Sequence, residues 1–484
     1  MKTIVAYSEG KQAEMDRPSP VSCDRIPDFP DIPNIIRAWS PLSEHPKWQH
    51  VEGTRVSLYA AYYDQRTPQH YVRVLGIFHG RNVSSLEELY CQTRSTREDQ
   101  ESVEVVAAKL LEIWWQDWDQ TSNDVDTPLL LSCPLTEPLN EKSAVSIVTE
   151  PCDNPTNGFH VTPISAQKYS RKFTVCVKDM NFADDITLSL VEWVETNRLL
   201  GAEMIDIYVD SVHKNTETTL LRYQAHGLVR LFQVPIKNTA RSLWQRRRDH
   251  LVTYNDCLYR NILESKFIIP LDVDEVLVPK TAYTWHGLFQ RLPYQGWDPN
   301  LHSAVLVRNV FFFNFMQDFY KSKISSDSRS NRTIYMKRDD VRIEDLLNKV
   351  ASVDSHSFNS NRDYKEQKDC MKSVPVPKLT KNTISSATIS PIGYYSKSFM
   401  QTKKVLTAFN HYPLASVGAT GFTGWAAPFK EVQLNHYKES CNTTMVPECA
   451  QYVLRARIDR SAVHLTRRLT RAVFDAMCSQ INAR

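Results

Sequence analysis

No window of this 484-residue chain approaches the roughly 18 consecutive apolar residues of a membrane-spanning helix. The opening residues, Met1 to Met15, lack the apolar core of a secretory signal. A large net charge is missing as well. A balance of +3 is small for this length and argues against a nucleic-acid partner. The ten cysteines (Cys23, Cys91, Cys133, Cys152, Cys176, Cys257, Cys370, Cys441, Cys449, Cys478) contain no C-x-x-C spacing, so they do not read as a metal-binding set. Taken alone, these absences describe a cytosolic chain.

What is present points elsewhere. An even set of cysteines accompanies three glycosylation sequons, at Asn82, Asn331 and Asn442. Together they lean towards an oxidising compartment. The two readings agree if a targeting segment or membrane anchor lies upstream of this sequence. Cys441 and Cys449 are close enough in sequence to be a local pair. Length allows two or three domains with a large core, and 42% apolar with 23% charged residues is ordinary globular composition.

Residues 1–45 are rich in proline and polar side chains without a sustained period, and read as a stem or linker. Residues 46–170 read as a small β-rich domain. Alternation marks strands over 54–63 and 71–78, with further strands at 145–148 and 160–164. From Lys172 strands and helices alternate. Strands are expected at 173–177, 204–209 and 228–234. A helix capped by Asp184 or Asp185 ends at Gly201, a second runs over 217–225, and a long one over 244–263. This order predicts a parallel sheet with right-handed crossovers, and such sheets place ligands outside the carboxyl ends of their strands. Residues 321–390 are polar and read as a surface insertion. Tyr452 to Met477 reads as one basic amphipathic helix, a solvated arginine face or a membrane-surface one.

The fourth strand is the stretch from Phe267 to Pro279. It is apolar, delivers Asp272, Asp274 and Glu275 within four residues, then turns apolar again. Buried carboxylates need something cationic to meet them. Strand alternation would put Asp272 and Asp274 on one face, the arrangement of hard oxygen ligands that suits a divalent cation, and Glu275 on the other, as scaffold. Solvated acids at a strand end would be the ordinary alternative. An apolar strand ending in Asp-x-Asp also suits a magnesium-dependent phosphohydrolase with Asp272 as nucleophile. That chemistry normally uses the first strand and a small following residue, and here three strands precede the motif and Glu275 follows it.

Four blocks carry a resemblance: Ala60-Ala61-Tyr62-Tyr63-Asp64-Gln65-Arg66; Lys172-Phe173-Thr174-Val175-Cys176-Val177-Lys178; Asn255-Asp256-Cys257-Leu258-Tyr259-Arg260 with Leu271-Asp272-Val273-Asp274-Glu275; and Asn435-His436-Tyr437-Lys438. In order and spacing the chain resembles the family 92 glycosyltransferases, which usually carry Arg where Lys438 stands and Phe where Val276 stands. The resemblance implies a GT-A fold (Rossmann-like, with a mostly parallel sheet), here preceded by the small β-rich domain. It also implies Mn2+ or Mg2+, a UDP-sugar donor, a glycan or glycoprotein acceptor, and inverting transfer of β-linked galactose on the lumenal side of the Golgi membrane. A glycan-binding protein that kept the fold without turnover is a further reading, against which the intact Asp272 and Asp274 count.

Within that frame Asp272, Asp274 and Glu275 form the catalytic stretch. Asp272 and Asp274 are the expected metal ligands, with Asp272 on the metal or the ribose. His411 or His436 would add a third ligand. His436 is preferred because similar GT-A enzymes commonly supply a late histidine. For the general base, Glu431, Asp339 and Asp340 stand level. Trp425, read on a glycine-flanked loop, is a sugar platform or a packed tryptophan. Asp256 and Arg260, one helical turn apart, touch the donor or pair with each other.

Overall fold

The computed structural model describes residues 19–33, 37–42, 46–97, 100–119, 123–161, 169–237, 241–317, 375–418, 421–439, 452 and 455–478. Residues 49–161 are built from antiparallel strands. These are β1 (Gln49–His50), β2 (Val56–Asp64), β3 (Tyr71–His79), β4 (Tyr90–Arg97), β5 (Gln100–Ala107), β6 (Lys109–Glu112), β7 (Asp126–Pro134), β8 (Ser143–Val148) and β9 (Phe159–Val161). They form a five-stranded sheet, β1-β2-β3-β7-β6, and a four-stranded one, β5-β4-β8-β9.

Strand and helix then alternate, as the periodicity requires: β10 (Arg171–Phe182), α1 (Thr187–Leu200), β11 (Met204–Val212), α2 (Lys214–Ala225), β12 (Val229–Gln233), α3 (Leu243–Asn261) and β13 (Ser265–Pro270). Gly201 ends α1 at φ 123°, a conformation open to glycine. Asp185 accepts from the Thr187 amide at the start of α1, and Ser242 caps α3 through the Gln245 amide. The remaining elements are β14 (Glu275–Pro279), α4 (Trp285–Arg291), β15 (Ala304–Val307), β16 (Asn309–Phe313), α5 (Lys378–Lys381), β17 (Ile384–Ser386), β18 (Lys397–Gln401), β19 (Val405–Ala408), β20 (Pro413–Ser416), β21 (Gly424–Ala426), β22 (Val432–Lys438), β23 (Ala456–Ile458) and α6 (Thr466–Cys478).

The protein is a mixed α/β structure with several sheets. Its main sheet has the order β12-β11-β10-β13-β18-β15-β21. The first four strands are parallel, and β18 runs against its neighbours β13 and β15. The period of two sorts the apolar residues between its faces. Phe173, Val175, Val177, Ile205, Ile207, Phe267 and Ile269 pack with α1, α2, α4 and α6. Cys176, Tyr208 and Ile268 pack on the other side with α3 and with Leu75, Trp114 and Leu130 of the N-terminal part.

Three disulfides, Cys23–Cys152, Cys91–Cys133 and Cys176–Cys257, tie the described residues, the last pinning α3 to β10. Asn82 is exposed. The sequons at Asn331 and Asn442 and the suggested Cys441–Cys449 pair lie outside the described residues. Among the described residues no helix is long and apolar enough to cross a membrane.

Three expectations change. The stretch from 267 to 279 is not one strand. It leaves the main sheet after Pro270, turns between Asp272 and Glu275 (the Glu275 amide donates to the Asp272 carbonyl, 3.0 Å), and enters a second sheet, β14-β22-β16. The partners of its carboxylates sit on both sheets, and a straight strand could not reach them all. The stretch from 452 to 477 is not one helix. Residues 456–458 pair as β23 with β17, Arg457 bonds Asp459, and α6 begins only at Thr466. Residues 378–386, expected within the surface insertion, contain α5 and β17, where Leu379 and Ile384 are buried.

Candidate functional site

The turn at 272–275 lies at the carboxyl end of β13, and three strands bring it partners. β10 keeps parallel register with β11 to Val177 and then shifts, a bulge that leaves Asp179 at φ 26°. Bulges re-aim side chains. Here Arg246 and His250 anchor Asp179 at 3.1 and 3.2 Å, and Lys178 reaches Asp272 Oδ1 at 3.1 Å. β18 pairs Met400 with Ile268, so its first residue, Lys397, arrives at the end of β13. Its ammonium lies 3.1 Å from Glu275 Oε2 and 3.5 Å from Asp272 Oδ2, and donates to Asn410 Oδ1 at 3.0 Å. β22 sets His436 directly opposite Glu275, and the Tyr437 amide donates to the Asp274 carbonyl.

Glu275 is therefore part of the cluster and not on its far side. Alternation applies only to extended chain, and the turn rotates Glu275 back so that its Oε2 accepts from the Asp272 amide at 3.0 Å. Its own carbonyl accepts from the Trp193 indole. Buried and doubly anchored, Glu275 is the scaffold of the turn.

Asp274 faces outward. Its Oδ2 lies 3.2 Å from Lys438 Nζ and 3.4 Å from His436 Nε2. His436 is buried and stacked on Phe311 (centroids 5.1 Å apart), yet neither ring nitrogen makes a hydrogen bond. Its Nε2 faces Asp274 and its Nδ1 lies 3.6 Å from Glu275 Oε1, so each nitrogen sits near a carboxylate without a hydrogen bond to it. A buried imidazole left so is costly unless another partner completes it. Burial works to raise both aspartates, but the neighbouring cations win. Lys178 and Lys397 hold Asp272 well below the usual carboxylate range, and His436 and Lys438 hold Asp274 at about 2.

The other expected site residues fall elsewhere. His411 lies one layer behind. Its Nδ1 bonds the Ser396 carbonyl at 2.8 Å, and burial together with Lys397 lowers it to about 3, so it is neutral. Asp256 and Arg260 pair with each other (2.6 Å), and Asp256 is fully buried among Arg37, Tyr62 and Tyr208. These partners meet both carboxylate oxygens of Asp256, which ties α3 to the surrounding interior. Trp425 is on edge strand β21 and not on a loop, paired with Val305 and separated from β13 by β18 and β15. Glu431 bonds Thr281 and Arg291 beyond the far end of β14. Asp339 and Asp340 lie outside the described residues.

Lys178, Lys397 and Lys438 are the residues that sequence reasoning left without a role. The signal existed: each stands at or near the end of an apolar strand, and buried carboxylates require cations.

Among the described residues no three His, Cys, Asp or Glu side chains are grouped to hold a metal by themselves. The Asp274–His436 pair nevertheless suits a divalent ion, with one carboxylate oxygen, the imidazole Nε2 3.4 Å from it, and positions left for substrate oxygens and water.

Comparison with known proteins bears on the same residues. The model of glycosyltransferase family 92 matches residues 171–467, more than half of the chain and every side chain of the cluster. A beta-1,4-galactosyltransferase of Caenorhabditis elegans, galt-1, is 28% identical over 134 residues. That match covers 26% of this chain and 31% of that protein, so the similarity spans about a third of the relative's length.

Proposed function

The chain belongs to glycosyltransferase family 92 and is a glycosyltransferase, and on that premise we propose that it is a metal-dependent, inverting galactosyltransferase of GT-A fold. Membership implies a nucleotide-sugar donor and a glycan acceptor, and leaves no support for the phosphohydrolase reading of Asp272. The observation that carries the metal is the Asp274–His436 pair, with its unsatisfied imidazole, at the ligand edge of a parallel sheet. The partial similarity to a galactosyltransferase supports UDP-galactose as donor.

In this reading Asp274 and His436 hold Mn2+ or Mg2+. Bound there, the ion supplies positive charge to the leaving diphosphate. Asp272, fixed by Lys178 and Lys397, stays ionised and offers its oxygens to the metal or the ribose. Glu275 keeps the turn in shape. The acceptor hydroxyl oxygen bonds to the anomeric carbon as the carbon–oxygen bond to the diphosphate breaks. The electron pair leaves with the diphosphate, and the hydroxyl proton passes to a general base on the opposite side. With Glu431 remote, Asp339 and Asp340 are the two sequence candidates left for that base.

The same proposal divides the chain into a stem to residue 45, a β-rich domain over 46–170, a catalytic domain over 171–450 with its insertion, and a C-terminal segment. It places the enzyme in the Golgi lumen, a setting in which three disulfides are at home. A panel of nucleotide sugars with glycan acceptors, the products read by NMR, tests donor and stereochemistry together. Transfer from UDP-galactose with a β-linked product is expected. Transfer from another donor alone, or an α-linked product, overturns the assignment.

A further inference from the structure

The turn carries three carboxylates, Asp272, Asp274 and Glu275, and three lysine ammoniums meet them, Lys178, Lys397 and Lys438. These carboxylates and ammoniums balance one another before any ligand arrives. A divalent ion entering alone would leave an excess of two positive charges in a half-buried site. The diphosphate of a donor brings two negative charges and restores the balance. Metal and donor therefore favour each other's entry, and one of the carboxylate–lysine contacts must open to admit them.

Exposure says which. The side chain of Lys397 is 1% exposed and is locked between Glu275, Asp272 and Asn410. That of Lys178 is 17% exposed and faces only the better-buried aspartate. Lys438 is 41% exposed, and it approaches Asp274 Oδ2, the same oxygen that faces His436 Nε2 and that a metal between them would take. A long flexible ammonium beside a metal site does not leave when displaced. It swings to the nearest anion.

We propose that Lys438 is a catalytic residue that exchanges partners, holding Asp274 in the free enzyme and passing to the leaving diphosphate of the nucleotide when metal and donor bind. This rests on the donor and metal reading above and adds a second cation to it. In the free enzyme Lys438 competes with the metal. In the loaded enzyme its ammonium would share the negative charge that builds on the leaving group.

Two binding measurements test the exchange. Free Mn2+ is followed by electron paramagnetic resonance in the absence of nucleotide, and UDP binding by calorimetry, with Mn2+ and with chelator. Lys438→Met should bind Mn2+ alone more tightly and, with Mn2+ present, UDP more weakly than with Lys438 in place, each by roughly tenfold, the worth of one charge-assisted hydrogen bond. Lys438→Arg should restore UDP binding, which a merely structural role would not require. Unchanged or weaker Mn2+ binding by Lys438→Met, or unchanged UDP binding, overturns the proposal. If the unmutated protein binds no UDP at all, the donor reading itself fails, and the exchange with it.

Discussion

His436 and His411 show how much a single side chain's surroundings decide. Both sit beside lysines and aromatic rings, but His411 spends its Nδ1 on the Ser396 carbonyl, while His436 hydrogen-bonds through neither nitrogen and sets its Nε2 3.4 Å from Asp274. Replacing His436 with Ala should weaken Mn2+ affinity by more than the roughly tenfold that a supporting partner is worth, and His411→Ala should leave it nearly unchanged. Metal titration of the two variants gives the ranking, and the reverse order would remove His436 from the site. Residue identity alone could not separate the two, because their difference lies in hydrogen bonds from distant strands. Asp256 and Arg260 were ambiguous in the same way. Their spacing on α3 was legible, but that Asp256 also meets Arg37, Tyr62 and Tyr208 depended on which residues pack over the helix.

At the scale of elements, strands and helices from 171 to 270 follow their periodicity closely. The departures come where chain direction changes. The turn at 272–275 was hidden because apolar residues flank it on both sides, and a continuous apolar run carries no mark of passing from one sheet to another. The arginines of 455–471 mimic a helical face, but Ile458 is held in strand by its pairing with Ile384.

A similar tertiary demand governs Glu192. It lies buried on α1 and accepts from the Leu379 amide of α5, near Lys378 and Tyr437. Burial pushes this carboxyl up to about 7, against the backbone amides and Lys378 that pull it down. Between its unfolded value near 4.5 and about 7, the folded chain keeps a proton that the unfolded chain has released. This group therefore makes stability fall as pH rises through that window. Glu192→Gln keeps the acceptor and removes the titration. The loss of stability between about pH 5 and about pH 8 should shrink by about 2–3 kcal/mol, as read from denaturant curves. An unchanged or steeper loss would mean that Glu192 is charged in the folded chain.

At the scale of the whole molecule, the main sheet is covered on one face by α1, α2, α4 and α6 and on the other by α3 with the N-terminal strands. That closure leaves the carboxyl edge of β10 and β13 as the place where charged side chains meet, joined there by β18 and β22. The edge was legible from strand order alone, and so was the aspartate pair. Its lysines were not, since Lys178, Lys397 and Lys438 are far apart in sequence and converge only through sheet register.

Galactosyl transfer from UDP-galactose to a glycan acceptor, measured with Mn2+ and with chelator for the unmutated enzyme and for Asp274→Asn, bears most directly on the central claim that this turn holds a metal against the donor diphosphate. The account predicts that chelator abolishes transfer and that Asp274→Asn lowers it by about a hundredfold or more with Mn2+ present. Transfer that survives both the chelator and the substitution would contradict it.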